Sequence, residues 1–181
     1  MPLSLTSNTA GQMYALTVLA PIMADRITTL RLVLDQLPKR PSPLARVTGT
    51  HFARFVVIAD FVSDPSQPAP EHLPCPYLLF SATLDGDRGR YLDELCDKLA
   101  DEAQQIWGCC VGAPDPARGA PLKAYLIHNQ LDTGLFFSAY PQADVETVKK
   151  ALALRRRTID FAVRGQGMSP EELQAAFLKE F

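Results

Sequence analysis

Proline placement restricts this chain more than any other feature. Eight of its fifteen prolines fall between Pro38 and Pro76, and three more stand at Pro114, Pro116 and Pro121. Neither stretch suits the interior of a helix or of a central strand, because proline lacks the N–H and clashes with the preceding turn. What remains is a series of short blocks bounded by breakers. A length of 181 residues suits one domain with a terminal extension. The expected bounds are a flexible N-terminus over 1–12, one α+β domain over 13–165 and a helical extension over 166–181.

The blocks read as follows. Met13–Ala20 is rich in β-branched and aromatic residues and predicts a strand. Asp25 is placed to cap a helix whose apolar residues Ile27, Leu30, Val33, Leu34 and Leu37 repeat every three or four positions until Pro38 ends it. His51–Phe61 predicts the strongest strand, Ser63–Pro76 an exposed loop, and Tyr77–Leu84 a third strand. Asp85-Gly86-Asp87 predicts a turn and a cap for one helix from about Gly89 to Ile106. Pro121–Leu131 fits a short helix better than a strand, and Leu135–Tyr140 predicts the fourth strand. Asp144 opens a long helix to about Arg164, and Ser169-Pro170-Glu171-Glu172 is a capping box for a last helix near Phe181.

Without the extra helices this order is βαββαβ, an α+β, ferredoxin-like antiparallel sheet with added C-terminal helices. Right-handed crossovers place both helices on one sheet face and leave the other bare. Yet the second strand is apolar on both sides, with Phe52, Val56 and Ile58 on one and Ala53, Phe55 and Val57 on the other. Both faces are therefore expected to be covered, the bare one most simply by a second copy of the chain.

The same pattern resembles the dimeric α+β-barrel superfamily. Within it, the blocks Thr50–Ile58 (with its H-F-A-R opening), Leu78–Asp87, Ile106–Pro114 and Leu135–Pro141 are similar to a bacterial stand-alone family. The resemblance covers Tyr14 to about Phe161. It implies a homodimer around a ligand cavity, with haem-dependent or cofactor-free oxidative chemistry among the superfamily's activities; it does not choose among them.

His51 and Arg54 share the most apolar strand, but a two-residue period points them to opposite faces unless a bulge re-aims one. His51 reads either as a strand-start residue bonded to the backbone or as a catalytic base or haem ligand. Arg54 reads either as half of an ion pair or as the anion anchor of a pocket. On a helical wheel Arg155 falls in the middle of the apolar stripe Val145, Val148, Ala151, Leu152, Ile159 and Ala162. It reads as a snorkelling side chain or as the partner of a carboxylate. Leu154 and Phe161 make a second apolar strip on that helix. Tyr140, at the end of the fourth strand, faces a cavity or caps the core. The candidate site is thus His51 and Arg54 for catalysis, with Arg155, Tyr140 and Phe52 for a small apolar or carboxylate-bearing ligand. The alternative is a non-enzymatic homodimeric interaction or scaffold domain, since no complete catalytic motif is present.

Charge and cysteine usage narrow the remainder. The formal charge is −2, which excludes a globally basic nucleic-acid binder. Asp85–Trp107 holds seven acids against three bases, and Asp144–Arg164 six bases against three acids. No apolar run approaches the roughly 20 residues of a membrane span. The first twelve residues lack Lys and Arg, so a secretory signal is not expected. Cys75, Cys96, Cys109 and Cys110 have no C-x-x-C spacing, and the three histidines stand apart, so no metal site is expected. Asp85-Gly86-Asp87 opens like a calcium loop, but Cys96 occupies the twelfth position where a Glu is required. A cytoplasmic protein with reduced thiols is the expectation.

Overall fold

The computed structural model describes residues 8–62, 66 and 69–181. Residues 1–7 of the expected flexible N-terminus, and 63–65 and 67–68 of the expected Ser63–Pro76 loop, lie outside the described residues. The chain divides into two compact units, Met1–Gln142 and Ala143–Phe181. The long helix after Asp144 therefore groups with the C-terminal helix, where the sequence reading groups it with the sheet.

The first unit is α+β. Its antiparallel sheet has the order β1–β2–β4–β3, with β1 at Thr9–Ala10, β2 at Met13–Pro21, β3 at Thr50–Ile58 and β4 at Tyr77–Asp85. The three long strands are the first three that the sequence predicts. β4 is paired on both sides, with β2 from Met13↔Asp85 to Pro21↔Tyr77 and with β3 from Thr50↔Leu84 to Ile58↔Tyr77. β2 and β3 therefore run the same way on either side of it, and α1 (Ile27–Gln36) makes the crossover between them. Residues 8–12 are not a free tail: β1 pairs with Met13 and Tyr14 through a turn at Gly11, and Asn8 is buried.

Alternation decides which face is dry. Leu16, Val18 and Ala20 of β2 and Leu78, Phe80, Ala82 and Leu84 of β4 are buried, while their neighbours are half-buried. Each fully buried Val, Leu or Phe contributes roughly 1.5–3 kcal/mol. The cover is α1 with α2 (Arg88–Lys98), α3 (Ala100–Trp107) and α4 (Gly119–His128). The single helix expected over Gly89–Ile106 is two helices, broken at Leu99 (φ −113°, ψ 28°). The break lets α2 pack on α4 while α3 packs on α1. Asp87 caps α2 by accepting from the Arg90 N–H at 2.9 Å, as expected. Asp25 does not cap α1. The chain enters that helix through a turn in which the Arg26 N–H donates to the Met23 carbonyl at 2.9 Å, and Arg26 takes the cap position.

The expected fourth strand, Leu135–Tyr140, is absent, and Tyr140 is 75% exposed rather than in the core. The reason lies at the outer edge of β2, which three short segments already fill. The Ala15 N–H donates to the Asn8 carbonyl at 2.7 Å. The Leu19 N–H donates to the Asn129 carbonyl at 3.0 Å and the Leu131 N–H to the Thr17 carbonyl at 2.8 Å. The Met23 N–H donates to the Cys109 carbonyl at 3.0 Å and the Val111 N–H to the Pro21 carbonyl at 2.8 Å. Leu135–Tyr140 therefore finds no ladder to join. The chain after it is tied instead to the β1–β2 turn, where the Gln12 N–H donates to the Pro141 carbonyl at 2.8 Å.

The proline-rich link holds a 3-10 turn at Pro43–Arg46, where the Ser42 hydroxyl accepts from the Leu44 N–H at 3.3 Å. A polar clamp binds this link to α2 and α3. Arg46 pairs with Glu102, the Lys98 ammonium donates to the Arg46 carbonyl at 2.9 Å, and the Thr48 N–H and hydroxyl donate to Glu94 at 3.0 and 2.6 Å. Burial raises the Glu94 pKa, but the bonds from Lys98 and Thr48 together outweigh it and hold the carboxyl at about 2.

In the second unit α5 (Val145–Arg164) is capped by Asp144, which accepts from the Thr147 N–H at 2.6 Å. α6 (Pro170–Glu180) opens on the expected capping box of Ser169 and Glu172. The two helices meet through Phe161, whose ring lies edge-on to Phe177 at 5.8 Å and to Phe181 at 5.7 Å.

Two stability outcomes follow. A Cβ on Gly11 would stand 2.2 Å from the Pro141 carbonyl oxygen at φ +61°, so Gly11→Ala is expected to lower unfolding free energy by about 1–3 kcal/mol in urea melts. The Glu94 carboxyl sits below its ordinary value of 4.5, so its contribution is complete above that pH and is lost as pH falls toward 2. Glu94→Gln is expected to lose roughly 1–3 kcal/mol at neutral pH and to unfold with a shallower acid slope between about pH 5 and 2.

Candidate functional site

The helical layer stops short of β3, and a groove opens there. The end of α1 (Leu34, Leu37) and Pro38 and Lys39 form one wall. Ser42, Pro43 and Leu44 of the clamped link form the second, and Leu99, Glu102, Ala103, Ile106 and Trp107 the third. Ala53, Arg54 and Phe55 of β3 complete it, around about 410 Å³. That volume falls in the range of small-molecule sites.

Phe55 and Trp107 set its floor, and Phe80 backs them from the core. Phe55 stacks on Phe80 at 4.8 Å, and both meet the Trp107 ring edge-on at 5.6 Å. Such aromatic contacts add to area burial and hold the rings in fixed orientation. The Trp107 Nε1–H is buried with no hydrogen-bond partner among the described residues, the kind of orphaned donor that needs an explanation.

The mouth is cationic. Glu102 is taken by Arg46. Arg54 and Lys39 make neither an ion pair nor a hydrogen bond with a described residue. An apolar floor with the Lys39 ammonium at its opening suits a molecule that is oily at one end and anionic at the other. An ammonium donates to a carboxylate as a compact point charge. Haem does not fit. Its iron is held by His, Cys, Met or Tyr, and none of these lines the groove.

The structure separates the residues that the sequence groups. His51 sits at a bulge between Thr50 and Phe52, with its Nε2 2.6 Å from an Asp85 oxygen and its side chain 8% exposed. This fastens the start of β3 to the end of β4, where the Asp85 N–H also donates to the Gly49 carbonyl at 2.9 Å. The partner is a carboxylate, not the backbone carbonyl of the simplest reading. Arg54 borders the groove along the β3 edge, but the register turns its side chain, like that of Phe52, to the opposite sheet face, which corrects its reading as the pocket's anion anchor. Phe52 stands on the sheet face turned away from the helices, 78% exposed. Tyr140 follows the irregular segment described above, and Arg155 lies on α5 of the second unit.

Lys39 and Trp107 were not among the sequence candidates. The chain's only tryptophan, at the end of an amphipathic helix, was the available signal for the floor. Nothing local marks Lys39, which becomes a groove residue only because the link after it folds back.

The remaining chemistry is quiet. All four cysteines are free thiols. Burial pushes the Cys110 thiol up to about 12 and the Cys96 thiol to about 11, which keeps both protonated and poorly nucleophilic. Among the described residues no three His, Cys, Asp or Glu side chains gather for a metal, and no helix is long and apolar enough to cross a membrane.

Comparison with protein-family models, with curated proteins and with solved structures gives no match.

Proposed function

We propose that this chain binds a small apolar molecule bearing a carboxylate in the groove between α1, α3 and β3, with Lys39 as the cation at its mouth. The observation that supports this reading is the pairing of an aromatic floor with Lys39, a cation without an acidic partner among the described residues. It is a binding function. The Ser42 hydroxyl in the groove caps the 3-10 turn and His51 is engaged by Asp85, so we assign no catalytic step, and the oxidative chemistry of the resembled superfamily is not carried over. Free thiols and the lack of a membrane-spanning helix among the described residues agree with a cytoplasmic setting.

Trp107 makes the test direct, because intrinsic fluorescence reports on one indole in the groove floor. Octanoate and benzoate are expected to change Trp107 emission saturably, and octanol and benzamide to do so more weakly. Lys39→Gln is expected to weaken the carboxylates by at most about fivefold and leave the neutral analogues unchanged. Equal binding of charged and neutral analogues by the parent protein would sink the anchor role.

A second reading rests on the other sheet face. Register places Ala15, Thr17 and Leu19, then Leu79, Ser81 and Thr83, then Phe52, Arg54 and Val56 side by side there. Phe52 and Val56 are exposed on it, beside half-buried Leu19 and Leu79. We infer that two copies pair through this face in the ferredoxin-like, dimeric α+β-barrel manner that the sequence resemblance implies. A stable pair needs roughly 800 Å² from each copy. Sedimentation equilibrium at micromolar concentration is expected to give a dimer, and Phe52→Asp a monomer with an unchanged far-UV spectrum.

A further inference from the structure

α5 has two apolar sides, and α6 uses one. Leu154 and Phe161 fall within about 20° of each other on the helical wheel, and Phe161 packs on Phe177 and Phe181. On this side the charges are also satisfied. The Arg157 guanidinium lies 4.5 Å over the Phe181 ring, and Arg157 and Arg164 reach the same Glu180 oxygen at 3.7 and 3.0 Å.

The opposite side is open. Val148, Leu152, Ile159 and Val163 form a stripe about 60° wide, and Leu152 and Val163 are 59% and 62% exposed. Arg155 projects from the centre of the band that Ala151 and Ala162 extend. Its neighbours one helical turn away on α5 are Ala151, Leu152, Thr158 and Ile159, none of them acidic. Arg155 and Arg156 form no ion pair with a described residue.

That central cation discriminates among occupants. A second copy of α5, laid along the stripe in either direction, would bring the two Arg155 guanidinium groups to about the same level, a like-charge contact in a drying interface. A lipid surface would take Arg155 into the acyl boundary, where interfacial helices carry apolar residues and keep their cations on the polar face. A protein helix with a carboxylate in the middle of its own apolar stripe satisfies both requirements. It covers the aliphatic residues and neutralises the guanidinium with a charge-assisted pair.

We propose that the Val148–Val163 face of α5 docks an amphipathic helix of a different protein that carries an Asp or Glu opposite Arg155. This does not depend on the groove's ligand. The probe is a labelled helical peptide of about 20 residues, roughly 30 Å long, with leucine at its a and d positions and one central Glu, together with its twin carrying Lys there. In anisotropy titrations of the full chain the Glu peptide is expected to bind at least about tenfold tighter than the Lys peptide. The charge reversal R155E is expected to invert that order, and Leu152→Asp to remove binding of both. Should R155E lose helical circular dichroism, Arg155→Gln takes its place, with the expected result that the two peptides become equivalent. Equal affinity of the parent chain for both peptides, binding of neither, or co-sedimentation with phosphatidylserine vesicles in place of peptide binding would each overturn the proposal.

Discussion

The two-sided pairing of β4 is the constraint on which the first unit depends. With β2 on one edge and β3 on the other, Leu78, Phe80, Ala82 and Leu84 must all face the same way, and the helices must cover that side. A slip of one residue would send this set into solvent and bring Leu79, Ser81 and Thr83 inward. Phe80 then carries the constraint further. It stacks on Phe55 of β3 and meets Trp107 of α3, so the last strand and the third helix are located by one ring. The groove follows, because the helical layer is centred on β2 and β4 and thins before it reaches β3. Ala53, Phe55 and Val57 remain only partly covered there, while their counterparts on β4 are closed over.

How far this was legible in the sequence varies with the kind of evidence each element carried. β2, β3 and β4 were readable because β-branched and aromatic residues run between proline and glycine breakers, a signal held within each segment. The caps at Asp87, Asp144 and Ser169 were readable for the same reason. Leu135–Tyr140 has the same local composition and failed, because a strand also needs a free edge. That edge is taken by Asn8–Ala10, Asn129–Leu131 and Cys109–Val111, segments far apart in the chain and unremarkable in composition. The break at Leu99 was hidden by an apolar periodicity that runs through it undisturbed. At the candidate site, Arg54 was legible as an oddity on an apolar strand, but the register that turns it from the groove was not. Lys39 joins the groove only through the fold-back of the link after α1, and Trp107 only through the packing of α3 on Phe55 and Phe80.

His51 shows how a chemically suggestive residue can be used up by architecture. A bulge at the start of β3 would leave the strand end poorly tied. The contact with Asp85 ties it to β4, and the Thr50 hydroxyl, 3.2 Å from that of Tyr91, ties it to α2. These bonds, together with the Glu94 and Glu102 clamp, fix the C-terminal end of the segment that forms the groove's second wall. The polar groups of this region thus serve mainly to hold a wall in place, and the groove itself is left apolar.

Lys39 and Arg155 are cations without an acidic partner among the described residues, in very different surroundings, and this determines what each contributes. Lys39 stands at a mouth open to water, where an ion pair with a small carboxylate is worth at most about 1 kcal/mol. Such a pair alone gives no useful affinity, so most of the binding energy in the groove must come from covering Phe55, Ile106 and Trp107, at about 25 cal/mol per Å². The charge then sets the orientation of a ligand whose length and shape set its affinity. For Arg155 the balance is reversed. Val148, Leu152, Ile159 and Val163 would gain from any apolar cover, but a cover without an acid would strand a guanidinium away from water. There the charge decides which partner is admitted, and the aliphatic stripe decides only how tightly it is held.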